Sequence, residues 1–119
     1  MFQFIFLAAC VAALALPGAA RAEQGRVQTR DAFVALIKDR ALTRLGVSLN
    51  VSTDGRITGK AFGRPVTGDW KWSDGYFCRD MVFGNQPIGP NCQLVENRGG
   101  ALRFTSDKGK GDFADLRLR

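Results

Sequence analysis

The sequence predicts a mainly β protein: a small antiparallel meander of seven or eight strands closing into a barrel-like sheet, with one short N-terminal helix packed on it. Three observations carry that expectation. From Leu42 onward apolar and polar residues alternate with a period of two, as in Val47, Leu49 and Val51 against Ser48, Asn50 and Ser52. Turn sequences bearing Gly or Pro recur between the alternating runs, at Asp54-Gly55, Arg64-Pro65 and Ser73-Asp74-Gly75. At this length, closure is a favourable way for a sheet to remove its exposed edges.

The elements follow in order. Phe4 to Leu16 is an apolar run broken by Pro17-Gly18, and Ala20-Arg21-Ala22 forms an A-x-A site before Glu23, so residues 1–22 read as a secretory signal peptide. The run is shorter than the ~20 residues that span a bilayer. Cys10 lies inside it, as a small apolar residue of the export segment rather than a lipidation site. Residues 23–41 are a polar lead-in and a helix over Thr29 to Arg40. Thr29 is its N-cap, Asp31 lies in the first turn, Phe33, Leu36 and Ile37 form one face, and Lys38 and Arg40 lie near the end.

Residues 42–119 form the β domain. Ile57, Gly59 and Ala61 alternate with Thr58, Lys60 and Phe62. Val66, Gly68, Trp70 and Trp72 alternate with Thr67, Asp69 and Lys71, and Tyr76 to Phe83 follows as the next strand. Gly59, Ala61 and Gly68 are small inward candidates that make room for Trp70 and Trp72. Gly84 to Asn91 reads as the one long loop; short strands around Leu94-Val95, Leu102-Phe104 and Ala114 to Leu118 complete the meander, with a turn over Asp107 to Asp112.

Removal of 22 residues from 119 leaves 97, a domain that buries only ~60–65% of its unfolded surface, so a covalent staple helps. With Cys10 gone, Cys78 and Cys92 remain, an even count that reads as a disulfide in an exported domain. Loop closure over about 15 residues is worth ~3 kcal/mol.

Composition excludes more chemistry than it selects. The chain has no His, so Ser-His-Asp and Cys-His arrangements and His-bearing metal sites are absent, and no metal or cofactor is expected. The mature segment carries about +5, since the formal +6 loses Arg21, but basic and acidic residues are interspersed and no nucleic-acid motif accompanies them. Asp54 and Asp74 are turn residues, and Asp69 lies on the polar face opposite Trp70 and Trp72. Trp70, Trp72, Tyr76, Phe77 and Arg79 are the candidate ligand- or partner-binding cluster, because aromatics and Arg dominate energetic contacts at interfaces. A packed core with a snorkelling Arg is the competing account of the same five residues.

G-x-W-x-W-x-D-G-Y-F-C-R (Gly68 to Arg79), N-C-Q (Asn91 to Gln93) and L-R-F-T-S-D-K-G-x-G-D (Leu102 to Asp112) resemble a family of small exported β-rich proteins of alphaproteobacteria. The likeness covers most of residues 42–119. Some members carry the label dihydrodipicolinate reductase, but no G-x-G-x-x-G opens a helix after a strand and no βαβ pattern exists. In architecture the chain is also similar to barrel-shaped peptidase inhibitors and lipocalin-like binders. The expectation is a monomeric periplasmic or secreted non-catalytic module that binds a small ligand or a protein. An envelope structural or protective protein is the alternative, and an enzyme comes third.

Overall fold

Alternation in this chain is converted into a closed barrel by pairing the first long-range edge with the last. The computed structural model describes residues 24–119. The signal-peptide assignment to residues 1–22 lies outside them. The strands are β1 (Gly25–Arg26), β2 (Leu42–Arg44), β3 (Val47–Val51), β4 (Arg56–Ala61), β5 (Arg64–Ser73), β6 (Tyr76–Phe83), β7 (Gln86–Asn97), β8 (Ala101–Thr105) and β9 (Phe113–Leu118), with α1 (Arg30–Ile37) between β1 and β2. Every pairing is antiparallel. Strands β2 to β9 run in sequence order around the barrel, and β9 returns to β2 through Leu42 opposite Leu118. Ala41 and Arg119 exchange backbone hydrogen bonds of 2.9 Å in both directions at the seam. The short β1 lies outside this ring and pairs only with the far end of β7.

Turn chemistry sets the register. The β5–β6 hairpin closes through Asp74 and Gly75, both at positive φ (52° and 85°), the backbone of the two-residue turns that match strand twist. The β4–β5 turn falls at Phe62-Gly63, not at Arg64-Pro65, both of which already belong to β5. Phe62 takes φ 50° there, a conformation rare for a bulky side chain. Gly68 marks a close strand approach: a Cβ on it would stand 2.2 Å from the Asp80 carbonyl oxygen.

The segment expected to be a long loop is a strand. After the Gly84-Asn85 tip, β7 begins at Gln86 and pairs with β6 as far as Gln93, with a register shift at Met81/Val82 that leaves Ile88 unopposed. The physical reason lies in what flanks it. The ladder from β7 to β8 begins only at Leu94, so the first eight residues of β7 form a sheet edge. Cys78 and Cys92 face each other with Cα atoms 3.9 Å apart, the close spacing of a non-hydrogen-bonded pair. Pro90, two residues away, therefore turns its nitrogen away from β6 to the open side, where a missing N–H costs little.

The core fills the barrel from one end. α1 is capped as expected, with the Ala32 amide donating to Thr29 Oγ1 at 3.1 Å. It stops at Ile37, three residues earlier than its sequence suggests, because Asp39 adopts φ 57°. Its buried residues are Phe33 and Ile37, with Val34 and Leu36 packed beside them. Phe33 is fully buried, and its ring lies 5.1–5.2 Å from the rings of Trp70, Trp72 and Phe77 and 6.4 Å from Phe104. The indole N–H of Trp70 donates to the Ser52 carbonyl oxygen at 2.8 Å, and that of Trp72 to Gln28 at 3.1 Å. Arg30 donates to the Thr53 carbonyl oxygen at 2.7 Å, so the plug is also tied to the β3–β4 turn.

Candidate functional site

The β5–β6–β7 sheet has two faces, and the sequence-predicted cluster divides between them. Directly opposed residues share a face. Trp72 pairs with Phe77 and Trp70 with Arg79, so these four project to the barrel interior. Trp70 and Phe77 are buried, and Trp72 is half-buried and stacked on Phe33 with an interplanar angle of 28°. Tyr76 projects the other way. Its ring carries the Arg26 guanidinium at 4.9 Å on one approach and the Lys108 ammonium at 5.5 Å on another.

Arg79 is the interior charge. It is half-buried, and its Nη1 donates to the Gly89 carbonyl oxygen at 2.7 Å across to β7. Its Nε is buried without a hydrogen-bond partner. Burial lowers its pKa, and the field of Asp80 works in the opposite direction. A desolvated guanidinium with one neutral acceptor adds little to folding. Arg79→Met is accordingly expected to leave the urea denaturation midpoint unchanged or to raise it. A marked fall would show that the bond to Gly89 holds the register shift of β7 in place.

The outer face of the same three strands holds an open hollow of about 440 Å³. Cys78, Cys92 and Pro90 give it an apolar floor, and Asp69, Lys71 and Asp80 stand along it. Asp69 and Asp80 are directly opposed in the β5–β6 ladder, with Arg56 opposite Asp69 on the next strand. Pro90, Asn91 and Cys92 also line an adjoining hollow that runs to Tyr76, Lys108 and Lys110. Asn91 fixes that second wall: its Nδ2 donates to Asp107 Oδ1, and its Oδ1 accepts from the Asp107 amide, both at 2.9 Å.

Chemically, this groove offers an apolar floor, charges of both signs and a covalently fixed base. Both its cysteines are bonded to each other, with an S–S distance of 2.07 Å. Among the described residues no three His, Cys, Asp or Glu are gathered as a metal would require. Reasoning from sequence identified Tyr76 and the two cysteines but missed Asp69, Asp80, Pro90 and Lys108. Counting by twos from Cys78 reaches Asp80, and that signal was readable. Lys108 was not, because its position depends on two successive left-handed residues, Asp107 and Lys108 at φ 54° and 55°. No family model, curated protein or solved structure matches the chain.

Proposed function

We propose that the protein is a periplasmic, non-catalytic binding module that holds a small ligand or a protein partner on the outer groove of β5–β7. The observation that supports this is the position of Phe33. A barrel that binds a ligand in its lumen keeps that lumen empty, whereas here a helix drives an aromatic ring among Trp70, Trp72, Phe77 and Phe104. The open apolar surface of the hairpin is instead on the outside, floored by the disulfide. Tyr76 and Lys71 are the contact residues of this reading; Trp70, Trp72 and Phe77 support the wall from behind. The disulfide and the resemblance to small exported proteins support the compartment, and no helix among the described residues is long and apolar enough to cross a membrane. The reductase label is left aside, because dinucleotide phosphates are held at the turns of parallel βαβ sheets and every pairing here is antiparallel.

Capture from periplasmic extract, with mass spectrometry of proteins and small molecules, tests the reading. Wild type is expected to retain a partner or ligand that Lys71→Glu and Pro90→Asp lose. Equal capture by wild type and both groove variants would refute it.

A further inference from the structure

An up-and-down barrel sends its turns alternately to opposite ends. α1 and the turns at residues 52–55, 74–75 and 98–100 share the plugged end; the turns at 45–46, 62–63 and 84–85 and the loop at 106–112 share the other. The exposed large hydrophobics of the described residues are Leu45 (95% exposed), Phe62 (74%), Phe113 (57%) and Ile88 (52%). All four lie at the unplugged end, one on or beside each of its connections. Single exposed apolar residues scattered over a surface are ordinary, but a set gathered at one end is not.

Two features show that this rim is built rather than frayed. Phe62 donates its amide to the Gly46 carbonyl oxygen at 2.8 Å, locking the β4–β5 tip to the β2–β3 tip. Its ring lies over Gly46, where a Cβ would come within 2.6 Å of it, so the glycine leaves room for an aromatic held in the open. Phe113 carries the Arg103 guanidinium at 3.8 Å and still exposes most of its ring.

The charges of the rim have one dominant sign. Arg44, Lys60 and Arg64 lie within two residues of the hairpin tips at 45–46, 62–63 and 84–85 or flank them in sequence, and no Asp or Glu does.

We infer that this rim docks on an anionic lipid surface, with the tip side chains entering the headgroup boundary and the basic residues meeting lipid phosphates. Each apolar group stands on its own hairpin, spaced around a ring. A bilayer accepts each independently, whereas a protein partner would need a separate pocket for every tip. The basic excess supplies the complementary charge, each Lys or Arg near such a surface being worth roughly fivefold in affinity. This site lies at the barrel end and is separate from the groove on β5–β7.

Co-sedimentation of the processed full chain with vesicles tests it, using three parts phosphatidylethanolamine to one part phosphatidylglycerol against phosphatidylcholine alone. Binding is expected to the anionic vesicles at ~0.1 M salt, with loss near ~1 M, where screening is nearly complete. Leu45→Ser with Phe62→Asn is expected to weaken it at least tenfold with an unchanged melting curve, Asn being tolerant of positive φ. Arg44→Gln with Lys60→Gln should weaken it roughly fivefold per residue. Lys71→Glu, in the groove, should bind vesicles as wild type does, so the two sites fail separately. Absence of vesicle binding, equal binding to both lipids, or a lipid-free protein complex abolished by the Leu45/Phe62 variant would overturn the proposal.

Discussion

Phe33→Ala is expected to lower the stability of the domain by about 3–5 kcal/mol, the range for truncating a large aromatic in a core. The ring is fully buried, so its removal leaves a void facing Trp70, Trp72, Phe77 and Phe104 at once. Those neighbours belong to three different strands that are hydrogen-bonded into a closed ring, so they cannot collapse into the space without opening ladders. The loss is large beside the ~5–15 kcal/mol that holds a domain of this size together. Urea unfolding followed by tryptophan fluorescence checks it, and the emission should shift red in the folded variant as well, because water reaches the two indoles. A midpoint within error of wild type would mean that α1 merely rests on the barrel mouth. Phe33→Leu, which keeps most of the volume, should recover more than half of the loss.

Removing the disulfide is the second large effect. Cys78→Ala with Cys92→Ala is expected to cost about 3 kcal/mol, from the closure entropy of a loop of about 15 residues. Where the loss appears depends on the ladder. Within β7, pairing to β6 ends at Gln93, while residues 94–97 pair with β8 and the last two of them also with β1. The bond sits at the boundary between these two parts. Amide exchange in the double variant should therefore rise first along residues 86–91 and the facing part of β6, with the β2–β5 ladders protected up to the new, lower global limit. Uniform loss of protection across all eight barrel strands would show that the bond supports the whole barrel rather than the ribbon.

Much of this fold is legible in the amino acids, and the exceptions have separate causes. β3, β4 and β5 follow from strict alternation, and Asp74-Gly75 specifies its own turn. β7 was hidden because Pro87, Gly89 and Pro90 are poor strand residues, which a sheet accepts only where one side stays unpaired. No local composition reveals that β8 stops short of them. The Phe62-Gly63 turn was hidden because Phe is a poor choice for φ 50°; a neighbouring hairpin, through Gly46, supplies the reason. β1 is two residues long and takes its place from β7, so nothing in Gly25-Arg26 announces it.

The candidate site was legible in its residues but not in its faces. The motif from Trp70 to Arg79 holds both the packed interior and Tyr76 of the outer groove, and only the register separates them. Arg79 is the instructive position. Its type fitted either an exposed contact or a snorkelling residue on a packed core, and pairing with Trp70 fixes it inside.

The seam between the first and last barrel strands also governs how the chain can fold. Phe33 precedes Phe104 by 71 positions, and Ala41 meets Arg119 across a separation of 78. During synthesis the helix emerges early, long before the strands that enclose it. Contacts of such sequence separation are slow to form, since chain closure must come before any gain. Assembly should therefore be late and concerted, completed only when β9 finds β2. A polypeptide lacking its final few residues would keep seven of the eight barrel strands intact in sequence and still have no ring to receive its plug.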